Sequence, residues 1–201
     1  MMLPNFSLLA VLLAAGPLAA ADDPPKKQDP QNTFEPRSGP GAGQKFLEKF
    51  VGDWDVVKTF YPRAGDPSRQ TGTCRQAMLH GGRFLQSEFA FGQGESKTTG
   101  LGLIGFEPQT GLFTSVWTDS RATRMSFRQS RDKFAGEEIV LFSKSLAEGG
   151  REARPTRTVT RLEDGGRKIV HRQYTAGADG QERLMMELLM TRKSAGAAPA
   201  K

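Results

Sequence analysis

The sequence is poor in the residues from which most metal and redox sites are built. It contains one cysteine, Cys74, and two histidines, His80 and His171. A disulfide within the chain and a cysteine-rich zinc or iron–sulfur site are therefore excluded, and a histidine-based metal centre or catalytic triad is disfavoured. We expect no metal and no cofactor. Cys74 stands in a strand-like segment without a nearby histidine, and we interpret it as a small core residue rather than a nucleophile.

Windows rich in alanine, leucine and glutamate, which favour helices, are also scarce, whereas glycine is abundant. The 201 residues include 23 glycines, and the hydrophobic residues make up 37% of the chain. With glycine added, this share comes near the roughly 45–50% of globular proteins, which excludes disorder of the whole chain. The length fits one domain with additional ends, and the composition points to short strands joined by tight turns.

A long apolar segment without charge lies near the N-terminus. Residues 6–21 (FSLLAVLLAAGPLAAA) end in three alanines, a pattern typical of the core and cleavage site of a signal peptide. A membrane anchor is the alternative, but this segment is interrupted by Pro17 and is shorter than the roughly 20 residues that span a bilayer. We expect residues 1–21 to be a signal peptide cleaved after Ala21, and the protein to be periplasmic or extracellular.

The segments on either side of the expected domain have little that can be buried. Residues 22–43 carry five prolines among Asp, Lys, Gln and Gly, and residues 194–201 read SAGAAPAK. Such compositions predict a disordered linker and a disordered tail. The folded domain is expected to span residues 44–193.

Ten strand-like runs follow one another through this domain, separated by turn sequences such as His80-Gly81-Gly82. They span residues 54–61, 71–79, 83–91, 98–106, 112–119, 123–130, 134–142, 156–162, 167–174 and 182–192. Apolar spacing before them predicts a short capping helix over residues 44–51 that ends at Gly52. Because closure removes exposed edges, the succession predicts an all-β, up-and-down antiparallel barrel. A two-sheet sandwich is the alternative.

Apolar and polar residues alternate along several runs, as expected for a wall with one dry and one wet face. Polar Arg124, Ser126 and Arg128 alternate with apolar neighbours and are expected to face solvent. The residues expected on the dry face are Leu85, Phe89, Phe91, Met125, Phe127, Leu184, Met186, Leu188 and Met190.

Several short motifs resemble a known family. In order, they are Gly52-Asp-Trp54, Leu79-His-Gly-Gly-Arg-Phe-Leu85, Gly100-Leu-Gly-Leu-Ile-Gly-Phe106, Pro108-Gln-Thr-Gly111, Trp117-Thr-Asp-Ser120, Tyr174-Thr-Ala-Gly-Ala-Asp-Gly180 and Glu187 with Thr191-Arg192-Lys193. Over roughly residues 46–193 their order and spacing resemble the bacterial domain-of-unknown-function family fifteen seventy-nine, whose fold is lipocalin-like (calycin). The resemblance implies a barrel with an interior cavity and no assigned activity.

The resemblance also implies a structural role for Gly52, Trp54 and Arg192. Gly52-x-Trp54 is similar to the lipocalin signature, in which the indole closes the base of the barrel and a basic residue from the last strand stacks on it. Arg192 occupies the matching position. Such a cation–π contact contributes on the order of 1–2 kcal/mol when it is desolvated.

Two motifs match functional patterns that the surrounding sequence does not support. Gly100-x-Gly102-x-x-Gly105 has the spacing of a dinucleotide-binding loop, but a turn sequence follows it instead of a helix. We therefore interpret these glycines as residues that allow a strand to bend. His171 shares one face of its predicted strand with Gln173. A neutral imidazole at the mouth of a cavity is able to ligate haem iron, as in one calycin relative. The neighbouring cations favour an ordinary wall histidine, so no haem is expected.

The positive charge of the domain is concentrated in one part of the sequence. Between Arg121 and Arg172 there are 13 Lys and Arg against 7 Asp and Glu, a net charge of +6. A basic wall for an anionic lipid or polysaccharide is one interpretation, and a solvated exterior is the other. The candidates for this wall are Arg124, Arg128, Arg157, Arg161, Lys168 and Arg172.

The leading functional hypothesis is an exported, non-enzymatic binding protein, monomeric or weakly dimeric, that holds a small apolar or amphipathic ligand in the barrel. The alternatives are a surface-binding module that uses the basic wall and a hydrolase with Glu88 or Asp119 as base. We assign no catalytic residue, and export argues against nucleic acid as a partner. The candidates for lining the cavity are Phe89, Phe106, Trp117, Asp119, Met125, Phe127, His171 and Met186.

Overall fold

The computed structural model describes residues 39–144, 155–177 and 180–194. Within these ranges the chain forms a helix, α1 (Ala42–Glu48), 3₁₀ turns at Gly94–Ser96 and Asp164–Gly166, and ten strands. The strands are β1 (Gly52–Phe60), β2 (Ser68–Leu79), β3 (Phe84–Phe91), β4 (Thr98–Glu107), β5 (Leu112–Asp119), β6 (Ser126–Gln129), β7 (Glu138–Lys144), β8 (Thr156–Glu163), β9 (Lys168–Ala176) and β10 (Glu182–Arg192). The expected signal peptide, residues 22–38 of the linker and residues 195–201 of the tail lie outside the described residues.

The ten strands form one closed barrel. Each strand pairs antiparallel with the next in sequence, and β10 returns to pair with β1. The predicted up-and-down barrel is confirmed, and the sandwich alternative is excluded because the sheet has no break between β1 and β10. The predicted strands are all present, and the largest difference is the later start of β7, at residue 138 instead of 134.

The helix before the barrel lies two residues earlier than predicted. It begins at Ala42, inside the expected linker, because the Gly41 N–H donates to Gln44 Oε1 at 2.7 Å and so has a partner at the helix start. It ends at Glu48 instead of continuing to Val51, and the chain then forms tight turn bonds such as Phe50 N–H to the Leu47 carbonyl at 3.0 Å. Among the described residues, no helix is long and apolar enough to cross a membrane.

Gly52 opens β1 and does not end the helix, which corrects its predicted role. Its φ of +139° is a conformation that residues with a Cβ rarely adopt. A Cβ there would also stand 2.5 Å from Arg192 Nη1. The backbone conformation therefore favours glycine at this position, and a side chain there would also have to displace the Arg192 guanidinium.

Helix α1 covers one end of the barrel, the base, with apolar side chains. Leu47 and Phe50 are at most 2% exposed, and Trp54 at the start of β1 is fully buried beneath them. The Trp54 indole N–H donates to the Phe50 carbonyl at 3.0 Å, which joins the turn after the helix to the strand. A seven-residue helix is too short to be stable alone, so this apolar contact with the barrel is what holds it in place.

Candidate functional site

The barrel encloses a cavity of about 400 Å³ to which all ten strands contribute. This volume lies within the roughly 300–1,000 Å³ of small-molecule sites. It corresponds to roughly thirteen water volumes at about 30 Å³ each. The interior is therefore open, and a cavity able to hold a ligand is present.

The cavity has a polar side and an apolar side. Most of the polar lining residues come from β5, β6, β8 and β9, and most of the apolar ones from β1, β3, β4 and β10. Exceptions on the apolar side are Lys58, Gln76 and Ser87, and on the polar side Ile139 and Leu141 of β7. The polar set is Ser115, Ser126, Arg128, Thr158, Thr160, His171 and Gln173. The apolar set is Phe60, Leu85, Phe89, Phe91, Ile104, Met186 and Leu188. A molecule that fills the cavity contacts both sets, so the cavity matches an amphipathic occupant.

Strand β6 turns its polar residues inward, which reverses the prediction for this strand. Ser126 pairs with Trp117 and Arg128 pairs with Ser115, and cross-strand partners share a face of the sheet. Met125 and Phe127 are instead 55% and 39% exposed. Their predicted place in the cavity is wrong because register with β5, and not hydrophobicity, decides which face of this four-residue strand is inside.

Arg128 brings a positive charge into the cavity without a counter-charge. Its Nε is shielded from solvent and has no hydrogen-bond partner. Among the described residues, no carboxylate lies within 4 Å of its guanidinium. Burial lowers the pKa of Arg128, which reflects the cost of keeping the charged form there. This residue was expected on an outer basic wall and lies inside.

His171 lies beside Arg128 in the polar set. Its Nδ1 is 2.8 Å from the Thr160 hydroxyl. Burial, and after it the charge of Arg128, lowers the pKa of His171 to about 4. The imidazole is therefore neutral at neutral pH and adds no charge to the cavity.

Three charged residues, Lys58, Asp119 and Arg121, line the cavity away from the helix-covered base. Asp119 forms an ion pair with Arg121 at 3.0 Å and accepts from the Trp117 indole at 3.2 Å, and these contacts, Arg121 first, lower the pKa of Asp119 to about 2. Lys58 is 5% exposed, and its ammonium lies 3.8 Å from the centre of the Phe91 ring. Burial, followed by the charge of Arg121, lowers the pKa of Lys58.

The glycines of β4 make room for Trp117 on the cavity wall. A Cβ on Gly100 would stand 2.3 Å from the Trp117 ring, and the ring meets Phe89 edge to face with centroids 5.5 Å apart. Because these glycines lie inside a strand paired with both β3 and β5, the dinucleotide-loop interpretation is excluded. Gly100 and Gly102 let the Trp117 ring pack against the backbone, and Gly105 does the same for the Phe84 ring.

The structure divides the eight expected cavity residues into two groups. Phe89, Trp117, Asp119, His171 and Met186 line the cavity. Met125 and Phe127 face outward, and Phe106 lies nearer the base, where its ring packs 4.9 Å from that of Phe113.

Sequence reasoning missed Lys58, Arg121 and Arg128 as cavity residues. The sequence contained a signal for Lys58. Apolar Trp54, Val56 and Phe60 alternate along β1, and this alternation places Lys58 on the same, inward face of the strand.

The expected basic wall is mostly neutralised by carboxylates. Arg157 pairs with Glu182 and Arg161 with Glu138, both at 2.5 Å. The four ion pairs on this part of the surface are Arg157–Glu182, Arg161–Glu138, Lys168–Asp164 and Arg172–Glu187. Arg124 is exposed in the loop before β6, and Arg128 is inside. Nothing in this arrangement favours the surface-binding alternative.

The two carboxylates proposed for the hydrolase alternative, Glu88 and Asp119, both border a surface groove of about 570 Å³ outside the barrel. Glu88 faces outward on β3, and Asp119 is held by Arg121, which with its other contacts lowers the pKa of Asp119 to about 2, so it is a weak base. Cys74 is 2% exposed, and burial raises the pKa of its thiol, so it is not a nucleophile at neutral pH. Among the described residues, no three His, Cys, Asp or Glu side chains are arranged to hold a metal ion.

Comparison with known proteins identifies relatives by family and by fold. The model of a family described as "Protein of unknown function (DUF1579)" matches residues 39–192. The crystal structure of Rv2717c from M. tuberculosis is similar with a TM-score of 0.56 and 14% sequence identity, over 78% of this chain and 100% of that chain. At this identity the likeness shows the fold alone. No curated protein matches the chain.

Proposed function

Since the chain belongs to the DUF1579 family, for which the family description gives no activity, we propose from its own cavity that it is a non-enzymatic binding protein for a small amphipathic molecule. The observation that carries this proposal is the open cavity of about 400 Å³ with a polar set facing an apolar set. An interior meant only to stabilise the barrel is filled by side chains at crystal-like density. A cavity with a few polar groups in an apolar surrounding is the usual form of a ligand site.

Binding is favoured over catalysis by the state of the reactive groups. The Glu88 carboxylate is outside the barrel, and Asp119 is held by Arg121 with its pKa lowered to about 2, which makes it a weak base. The neutral His171 is hydrogen-bonded to the Thr160 hydroxyl, and among the described residues no carboxylate is hydrogen-bonded to its ring to complete a catalytic triad. These groups fix and orient a ligand better than they transfer protons.

A pair of adjacent substitutions tests whether the cavity is the binding site. Ser115→Phe adds a ring to the cavity wall, whereas Thr114→Phe adds the same ring to the exposed outer face. We expect the fluorescence of 1-anilinonaphthalene-8-sulfonate to rise on addition of the wild-type protein and of Thr114→Phe, and this rise to fall at least tenfold in Ser115→Phe. Equal fluorescence with both variants would place the binding of the probe outside the barrel and contradict the proposal.

The natural occupant can be sought directly. Native mass spectrometry of protein purified from its own host is expected to show a mass above that of the polypeptide, which disappears on unfolding. The same excess mass in Ser115→Phe would show that the retained molecule does not lie in the cavity.

We also propose that the protein is exported, on the support of the uncharged segment 6–21 and its three terminal alanines. N-terminal sequencing of the protein from its host is expected to begin at Asp22. Soluble cytoplasmic protein that begins at Met1 would contradict export without affecting the proposal of a ligand cavity.

A further inference from the structure

The charges that line the cavity do not balance. Three cations, Lys58, Arg121 and Arg128, face one carboxylate, Asp119. Asp119 is bound by Arg121, whose Nη2 lies 3.0 Å from Oδ2. Among the described residues, neither Lys58 nor Arg128 has a carboxylate within ion-pair distance. An occupant with a negative charge therefore fits this cavity better than a neutral or a positive one.

Arg128 is the group best placed to bind that charge. Its Nε donor is buried without a partner, and a buried cation without a counter-charge is costly. The guanidinium is planar and presents parallel N–H donors that match the two oxygens of a carboxylate. Lys58, in contrast, already rests against the Phe91 ring, at 3.8 Å from its centre.

The surroundings of Arg128 define the rest of the occupant. Ser115 and Ser126 lie next to it in the wall and offer hydroxyls, and the apolar set forms the facing side. Resting on the proposed function, we propose that the ligand is an amphipathic monocarboxylate, with its carboxylate on the guanidinium of Arg128 and its hydrocarbon chain along Phe89, Met186 and Leu188. A single negative charge is sufficient because one guanidinium lies at this place. Lys58 attracts the anion on its way into the barrel.

A matched series of ligands tests the charge and separates this inference from the proposed function. Isothermal titration calorimetry is carried out with decanoate, decan-1-ol and decylammonium, which share one chain and differ in the head group. We expect decanoate to bind at least tenfold more tightly than decan-1-ol, and decylammonium to bind most weakly. If decan-1-ol binds as tightly as decanoate, anion recognition is wrong and the proposed cavity function stands. If none of the three binds, this inference fails, and the dye and mass-spectrometry experiments decide the broader function.

Two variants that each remove one positive charge show which arginine binds the carboxylate. Arg128→Met removes the inner guanidinium, and Arg161→Met removes one that is paired with Glu138 on the outer face. We expect Arg128→Met to weaken decanoate binding tenfold to one hundredfold and to leave decan-1-ol unchanged, while Arg161→Met leaves both unchanged. Arg128→Lys should retain part of the affinity, because it keeps the charge without the planar fork. Equal weakening by Arg128→Met and Arg161→Met would overturn the assignment to Arg128.

A spectroscopic measurement checks the contact independently of affinity. The carboxyl signal of decanoate labelled with ¹³C at C1 is expected to shift on binding to the wild-type protein and to keep that bound shift as the pH is lowered through the pKa of free decanoate. In Arg128→Met the signal of the bound ligand should titrate near the ordinary pKa of a carboxylic acid. A bound carboxyl that titrates normally in the wild-type protein would contradict an ion pair with Arg128.

Discussion

The guanidinium carbon of Arg192 lies 4.1 Å from the centre of the Trp54 ring. The two residues are direct partners across β1 and β10, where the last strand closes on the first. Arg192 also donates to three backbone carbonyls from two separate segments: those of Val51 at 2.6 Å and Lys49 at 2.8 Å after the helix, and that of Gly166 at 3.1 Å before β9. The arginine therefore joins the chain after the helix, the turn before β9 and the end of the barrel around one indole.

This contact predicts coupled losses of stability. Trp54→Ala removes a fully buried indole and should lower the free energy of unfolding by about 3–5 kcal/mol. Arg192→Ala should lower the free energy of unfolding by about 2 kcal/mol, of which about 1 kcal/mol comes from stacking on the indole. This stacking energy is already lost in Trp54→Ala, so the two losses should not add. A double-mutant cycle on urea unfolding measures this coupling. Strictly additive losses would show that the stacking contributes nothing.

His171 predicts a pH dependence of stability with a defined sign. Its pKa is about 4 in the folded protein against an ordinary value of 6.5, so the unfolded chain takes up a proton at a pH where the folded protein does not. His171 therefore does not lower the free energy of unfolding above about pH 6.5, and it lowers this free energy progressively as the pH falls from 6.5 to 4. The loss should amount to about 2–3 kcal/mol.

Urea unfolding between pH 7.5 and 4.5 checks this dependence, with His171→Gln as the matched variant. The difference in the free energy of unfolding between the wild-type protein and the variant should change over this pH range. The contributions of the other titrating groups cancel in that difference. Parallel curves would mean that the imidazole is as well solvated in the folded state as in the unfolded chain.

The same residue carries our prediction about haem. We expect no sharp Soret band that depends on His171 when haemin is added to the protein. Arg128 lies close enough to lower the pKa of His171 by its charge, so it also opposes a ferric ion bound to the imidazole. Absorption spectra of the wild-type protein and of His171→Ala provide the measurement. A band present in the former and absent from the latter would establish haem ligation.

The architecture was predictable from the sequence because every strand is bounded by its own turn signals. Runs such as 112–119 and 182–192 have the predicted bounds in the structure. Sequential hairpins permit few other topologies. The closed barrel therefore followed from local signals and from the need to protect sheet edges.

The chemistry of the cavity was not predictable in the same way. The rule that apolar residues face inward presumes a dry interior, and on β6 it assigned Met125 and Phe127 to the inside. The register of β6 with β5 places Ser126 and Arg128 there instead. Which face of a short strand is inside depends on its neighbours in space, and a cavity that holds polar groups removes the penalty that otherwise makes hydrophobicity a reliable guide.

Arg128 predicts an unusual gain of stability on removal of a charge. In the protein without ligand, the Nε of Arg128 is shielded from solvent without a hydrogen-bond partner, and burial lowers the pKa of the guanidinium, so its charged form is destabilised. Arg128→Met keeps much of the apolar stem and removes the charge, and we expect it to raise the free energy of unfolding by about 1–2 kcal/mol. Arg161→Met, which breaks an exposed ion pair with Glu138, should change stability by less than about 1 kcal/mol in the unfavourable direction. Thermal and urea unfolding of both variants at neutral pH measure the contrast. A loss of stability in Arg128→Met would show that the guanidinium is already satisfied without a ligand, by water held in the cavity, and would remove the energetic reason for an anion to bind there.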